Sequence, residues 1–160
     1  MKAIAAVALL LGTLALAQSG DPAGFYYWSR ADLNKMTNRL ASQMDANKFK
    51  SQTIATAGNH RFLVTHREAA GQSEYHETES DIVFVQTGHA TLIYGGKMVD
   101  AKTTAPGELR GSGIDGGSKK ELSPGDVVVI PTKTPHQFEP RSGEAFNYFV
   151  VKVTDEKAAQ

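Results

Sequence analysis

The chain contains no cysteine among its 160 residues. Disulfide bonds, thiolate metal ligands and cysteine nucleophiles are therefore excluded, and stability must come from a packed core. The chain also lacks an excess of either charge, since 17 basic side chains balance 17 acidic ones. A neutral balance creates no field that attracts nucleic acid or an anionic membrane surface, so we expect neither as a partner.

Long apolar runs are confined to the N-terminus, where Met1 and Lys2 precede a stretch from Ala3 to Ala17. A basic start, a short apolar core and an A-x-A end are typical of a signal peptide, here cleaved between Ala17 and Gln18. A transmembrane anchor is the alternative, although the run is shorter than the roughly 20 residues that a spanning helix needs. We expect a periplasmic or secreted protein without membrane contact after cleavage.

The mature chain has the length of one domain, which begins with an N-terminal segment over residues 18–48. Ser29 is placed as an N-cap, with Asp32 three residues later as in a capping box. The following apolar residues predict a helix over about 30–45. They recur at helical spacing as Leu33, Met36, Leu40 and Met44. This stripe is either a packing face or a surface for a partner.

Residues 50–154 show the alternation of short strands separated by glycine and proline, followed by a tail over 155–160. The predicted strands are Ser51 to Ala57, Arg61 to Glu68, Glu74 to Glu77, Ile82 to Thr87, His89 to Tyr94, Lys97 to Thr103, Val127 to Ile130, His136 to Glu139 and Phe146 to Val153. Many short strands without a later helix indicate an all-β antiparallel sandwich or barrel.

The segment from Ala105 to Glu121 contains five glycines and mixed charges between two strand-rich halves. We interpret it as a mobile loop. A lid over a site is the functional alternative, because long loops in compact domains often carry function.

Two short stretches carry most of the chemical information. They read Glu74-x-His76-x4-Asp81-x6-Gly88 and Gly125-x5-Pro131-x4-His136. In these stretches the chain resembles the cupin family, whose two motifs have this spacing. The resemblance covers about residues 50–154 and implies a cupin-type jelly-roll barrel, here preceded by one amphipathic helix.

The match departs from the family at several positions. Glu74 stands where the first motif has a histidine, and Asp81 stands where it has a glutamate. Lys133 replaces a glycine and Pro140 an asparagine in the second motif, and the leading glycine of the first motif is missing. The resemblance implies a metal site formed by four residues, Glu74, His76, Asp81 and His136.

The residue types agree with such a site. Glu74 and His76 are two apart, so both project from one face of a strand, and a hairpin can return Asp81 to the same pocket. Imidazoles with carboxylates suit Mn, Fe, Ni or Zn better than Mg or Ca. Asp81 is one methylene shorter than the family's glutamate, so its ligation requires a closer backbone. The alternative is a metal-free pocket in which His76 and His136 are hydrogen-bonded.

Glu74 and His66 each have a second possible role. If His76, His136 and Asp81 alone hold the metal, Glu74 is free to act as a general base. His66 shares strand parity with apolar neighbours, so we interpret it as a core histidine rather than a ligand.

We therefore expect an exported single-domain cupin that binds a divalent metal and acts on or binds a small organic molecule. An enzyme would be of the oxygenase, isomerase or lyase type that cupins include. The alternative is a non-catalytic binding or sensing protein, with or without metal. A homodimer is left open, and an interaction protein that uses the helix is the third hypothesis.

Overall fold

The computed structural model describes residues 20–155, which form one helix and thirteen strands. The signal peptide predicted over residues 1–17 lies outside the described residues, as do residues 156–160 of the predicted tail. The elements are α1 (Arg30–Ala41), β1 (Phe49–Ala57), β2 (His60–Arg67), β3 (Ser73–His76), β4 (Glu79–Thr87), β5 (Ala90–Tyr94), β6 (Lys97–Val99), β7 (Lys102–Ala105), β8 (Glu108–Gly111), β9 (Gly113–Asp115), β10 (Ser118–Leu122), β11 (Val127–Ile130), β12 (His136–Pro140) and β13 (Phe146–Thr154).

The strands form two main antiparallel sheets. A five-stranded sheet has the order β1-β2-β13-β4-β11, and a six-stranded sheet has the order β10-β5-β12-β3-β8-β7. A separate pair joins β6 to β9. The prediction of an all-β jelly-roll barrel with one N-terminal helix is confirmed.

A buried apolar cluster fills the space between the two sheets. Its members include Val83 and Val85 of β4, Leu92 of β5 and Phe138 of β12. The same strands continue beyond the cluster to polar residues on the same face, because side chains alternate with a period of two. On β13, Phe146, Tyr148 and Val150 lie in the cluster and Lys152 follows at the next inward position. One end of the barrel is therefore apolar and the other end is polar.

The helix packs on β2, outside the five-stranded sheet. The capping box is present, since Asp32 N–H donates to Ser29 Oγ at 3.2 Å and Ser29 N–H donates to Asp32 Oδ2 at 3.0 Å. The helix ends at Ala41 rather than near residue 45. Its extension is replaced by a turn in which the Asp45 carboxylate accepts the backbone N–H of Phe49. No helix within residues 20–155 has the length and apolar character needed to cross a membrane.

The interpretation of the segment between Ala105 and Glu121 as a loop is wrong, whereas the alternative of a lid over a site stays a prediction. This segment contains β8, β9 and most of β10, which pair with β3, β6 and β5. The strands are short, glycine-containing and charged, so their sequence carries little apolar alternation. Pairing with neighbouring strands determines their structure, as is common for β-strands. The strand predicted over Lys97 to Thr103 is also divided, because Asp100 adopts a left-handed φ of 50°.

Candidate metal centre

Strand register brings the predicted ligands together at the polar end of the barrel. His136 of β12 lies directly opposite Glu74 of β3. Asp81 of β4 lies on the facing sheet, opposite Lys152 of β13. Residues opposite one another in a ladder have adjacent side chains. Each sheet therefore contributes one pair of neighbouring side chains to the same end of the barrel.

The two histidines are held in a defined orientation. His76 Nδ1 lies 2.7 and 2.8 Å from the two carboxylate oxygens of Glu108, and the His136 Nδ1 lies 3.0 Å from the carbonyl oxygen of Thr134. Both partners accept hydrogen bonds, so each Nδ1 carries a proton, and Nε2 is the nitrogen that has the lone pair whenever the ring is neutral. The ring centroids are 5.3 Å apart. The Nε2 atoms of both histidines therefore lie in one pocket.

Both predicted carboxylates reach these histidines. Asp81 Oδ2 lies 3.7 Å from His76 Nε2 and 3.7 Å from His136 Nε2. Glu74 Oε2 lies 3.7 Å from His76 Nε2. Glu74, His76 and His136 each offer a ligand atom within 4.8 Å of the others. The shorter side chain of Asp81 is thus long enough to reach the pocket.

A lysine that the sequence did not single out lies in the same place. Lys152 Nζ donates to Asp81 Oδ1 at 2.6 Å and to His76 Nε2 at 2.9 Å. The side chain of Lys152 is only 12% exposed. A positive charge therefore already faces two of the four predicted metal ligands.

Glu74 is surrounded by positive charge. Arg67 Nη2 lies 3.4 Å from Glu74 Oε1, and Arg110 Nη2 lies 3.3 Å from Glu74 Oε2. Burial alone would raise the pKa of Glu74, but His136 in its protonated form, together with Arg110, Arg67 and Lys152, outweighs burial and lowers this pKa to about 2. A carboxylate this acidic is a weak proton acceptor at neutral pH, which disfavours the general-base role.

The surroundings of His76 keep its ring neutral. Burial lowers the pKa of His76 to about 4, and the Lys152 charge acts in the same direction, while Asp81 and Glu74 oppose them. At neutral pH His76 is therefore an uncharged imidazole and Glu74 is a carboxylate. These are the protonation states in which both side chains bind metals.

The site opens into a cavity of about 550 Å³. Ionic side chains line much of its wall, namely Arg61, Glu79, Asp81, Glu108, Arg110 and Lys152. Tyr148 also lines the cavity, and burial raises the pKa of its hydroxyl, which stays protonated. A cavity of this size accommodates a small organic molecule.

Three functional candidates escaped the sequence interpretation for different reasons. Glu108 and Arg110 lie in β8, within the segment interpreted as a loop. Lys152 belongs to the predicted last strand, and its parity with Tyr148 and Val150 indicates an inward side chain. His66, in contrast, lies outside the site, with Nδ1 2.7 Å from Asn147 Oδ1.

The donor set fits a divalent transition metal. Neutral imidazole and carboxylate are normal ligands of Zn²⁺ and related ions. Glu108 and Thr134 accept hydrogen bonds from the Nδ1–H groups of the two rings and fix their orientation. Histidines that bind metals are held in the same way, because they donate their second N–H to a carboxylate or a carbonyl. Lys152 opposes this fit most directly, since its ammonium donates a hydrogen bond to the Nε2 of His76.

Comparison with known proteins gives fold-level matches. The structure is similar to KdgF from Halomonas sp., with a TM-score of 0.50 and 18% identity over 73% of this chain and 91% of that chain. It is similar to Peruvianin-I, a cysteine peptidase from Thevetia peruviana latex, with a TM-score of 0.54 and 16% identity over 89% of this chain and 78% of that chain. The cupin domain of Schizosaccharomyces pombe Cnp3 matches with a TM-score of 0.52 and 9% identity, over 68% of this chain and 66% of that chain.

No family model matches the sequence, and no curated protein does. The chain nevertheless has the cupin fold, as the two-sheet topology and the Cnp3 cupin domain show. The resemblance drawn from the two motifs is thereby confirmed for the fold.

Proposed function

We propose that this protein binds one divalent transition metal at the polar end of its barrel and holds a small organic molecule beside it. His76 and His136 supply imidazole nitrogens, and Glu74 and Asp81 supply carboxylate oxygens. The metal is Mn, Fe, Ni or Zn, because mixed nitrogen and oxygen ligands suit these ions.

One observation carries the proposal. The Nε2 atoms of His76 and His136 both face Asp81 Oδ2, each at 3.7 Å. Each ring has its proton on Nδ1, so three lone-pair atoms converge. A divalent ion could bind all three atoms at once, whereas the Lys152 ammonium contacts His76 Nε2 and Asp81 Oδ1.

The charges around the cavity favour an anionic or strongly polar ligand. Four carboxylates meet four basic side chains at the site, which is therefore formally neutral. They are Glu74, Glu79, Asp81 and Glu108 on one side and Arg61, Arg67, Arg110 and Lys152 on the other. A divalent ion would leave an excess of two positive charges. Carboxylates, phenolates and hydroxyl-rich molecules complement that excess.

The side chains have separate roles in this proposal. A bound metal would supply a Lewis acid that polarises an oxygen of the ligand. The protonated hydroxyl of Tyr148 lines the same cavity and can donate a hydrogen bond to the ligand. Arg110 neutralises Glu74 and keeps it ionised. These roles serve either an enzyme or a binding protein.

Activities of similar structures do not transfer directly. Peruvianin-I is a cysteine peptidase, and this chain has no cysteine. Export is proposed from residues 1–17 of the sequence alone. It would place the pocket in a compartment where small molecules arrive from outside the cell.

A ligand screen by thermal shift tests the proposal. Metal-loaded protein is heated with small carboxylic acids, phenols and sugars, and each compound that raises the melting temperature is tested again on two variants. His136→Ala removes a predicted ligand. His66→Ala removes a buried histidine outside the site and serves as the control.

We expect stabilising compounds to act on the wild type and on His66→Ala, and to lose their effect on His136→Ala. Stabilisation follows from binding to the native state alone. Equal shifts in His136→Ala and the wild type would place the ligand elsewhere and refute the proposed pocket.

A further inference from the structure

Lys152 occupies the position in which a metal would meet His76 and Asp81. Its Nζ atom is 2.9 Å from His76 Nε2 and 2.6 Å from Asp81 Oδ1. These are hydrogen-bond distances, and a metal would bind His76 Nε2 and an oxygen of the same Asp81 carboxylate at about 2.0 to 2.2 Å. The lysine and the metal therefore compete for the same space.

The competition is strict at His76. A neutral imidazole has one lone pair in the ring plane, on the nitrogen that carries no proton. Because Glu108 holds the proton on Nδ1, that lone pair is on Nε2. It either accepts a hydrogen bond from Lys152 or coordinates a metal. One event excludes the other.

We propose that Lys152 is a built-in cation that holds the metal-free site together and must be displaced before a metal binds His76 and Asp81. This inference rests on the proposed function, since it concerns the same site. It makes the site selective, because an entering ion must bind imidazole strongly enough to displace an ammonium group that Asp81 also retains.

The structure provides a second carboxylate for the displaced lysine. Glu79 Oε2 lies 3.9 Å from Lys152 Nζ. Glu79 is two residues before Asp81 on β4, so both carboxylates project from the same face. Lys152 can leave Asp81 for Glu79 without losing all contact with negative charge.

The matched control is Arg61, the other cation that reaches Glu79. Arg61 Nη2 lies 2.9 and 2.7 Å from the two Glu79 oxygens. Arg61 lies opposite Lys152 in the ladder between β2 and β13 and lines the same cavity. No contact joins it to His76 or Asp81 in the described part of the chain. Removal of Arg61 changes the charge of the cavity but leaves the contacts of Lys152 with His76 and Asp81 in place.

The experiment measures the Zn²⁺ dissociation constant by competition with a chromophoric chelator, for the wild type, Lys152→Met, Lys152→Gln and Arg61→Met. Both lysine variants should bind Zn²⁺ about ten- to hundredfold more tightly than the wild type, because a hydrogen bond to a charged group no longer opposes entry. Arg61→Met should change the constant by less than about threefold, because the Arg61 side chain is 42% exposed and water screens its charge.

A second measurement separates competition from a general loss of structure. With a chelator present, the lysine variants should melt at a lower temperature than the wild type, because Asp81 loses its buried partner. On adding Zn²⁺ their melting temperatures should rise further than that of the wild type.

The outcomes distinguish this inference from the proposed function. Equal or weaker Zn²⁺ binding by both lysine variants overturns the inference and leaves metal binding by the wild type intact. Zn²⁺ binding only after Lys152 is replaced supports the inference and overturns the proposed function of the natural chain. Absence of binding in every variant overturns both. If Arg61→Met gains as much Zn²⁺ affinity as Lys152→Met, the gain comes from the lost positive charge alone, and the inference is also overturned.

Discussion

Replacement of Glu108 tests how the site orients its metal ligands. The carboxylate lies 2.7 and 2.8 Å from His76 Nδ1, and the His76 side chain is only 3% exposed. Glu108→Ala removes this acceptor and leaves a buried N–H without its partner. The ring is then free to rotate or to move its proton to Nε2, where a metal would bind.

The expected magnitude has two parts. Loss of an outer carboxylate costs about ten- to hundredfold in metal affinity, which is about 1.4 to 2.8 kcal/mol. The unpaired buried donor lowers the free energy of unfolding of the metal-free protein by about 1 to 3 kcal/mol. Glu108→Gln should lose less of both, since its amide oxygen still accepts the hydrogen bond without a charge.

The assays are Zn²⁺ competition and urea unfolding with a chelator present. Glu77→Gln is the control, because it removes one acidic charge beside His76 from an exposed side chain. Its Zn²⁺ affinity and unfolding free energy should stay near the wild-type values. If Glu108→Ala binds Zn²⁺ within twofold of the wild type and unfolds at the same urea concentration, Glu108 does not orient His76.

Two further predictions concern the pH dependence of stability and the motif glycines. In metal-free protein, the lowered pKa values of His76 (about 4) and Glu74 (about 2) mean that the unfolded state binds more protons as pH falls. The free energy of unfolding, measured with urea, should thus fall from pH 6.5 to 4 with a slope of up to about 1.4 kcal/mol per pH unit from His76. His76→Gln should flatten this slope, and an unchanged slope would assign it to other groups. Gly88→Ala should destabilise by about 3 kcal/mol, since φ is 77° and a Cβ would overlap the Ala145 carbonyl oxygen. Gly125→Ala, with φ of 95° and open space, should lose only about 1 to 2 kcal/mol by thermal unfolding, and equal losses would remove the steric argument.

The sequence predicts the barrel well because the residues that form its turns can be recognised from their positions in the two motifs. Glycines at Gly88 and Gly125 adopt positive φ, as their motif positions require. Lys133 stands where the family has glycine and also adopts a positive φ of 61°, so the turn keeps its shape without the residue that favours it. Its N–H donates to the His76 carbonyl at 2.7 Å, which explains how the turn is retained.

The sequence predicts less of the site, because the missing residues depend on pairing between distant strands. Glu108 lies in a charged strand whose position follows from its ladder with β3. Lys152 lies beside Asp81 only because β13 pairs with β4, 71 residues apart in the chain. Spacing within one segment carries no information about such partners. The two motifs therefore indicate the ligands, and the fold adds the charges that act on them.

Metal content per chain tests the central claim most directly. The mature protein is purified without chelators, incubated with Zn²⁺ or Mn²⁺, freed of excess ion and analysed for its elements, together with His136→Ala. We predict close to one divalent ion per chain in the wild type and a large loss in the variant, because His136 supplies one of the two imidazoles. Wild-type protein that stays folded and holds almost no metal after this treatment would contradict the account.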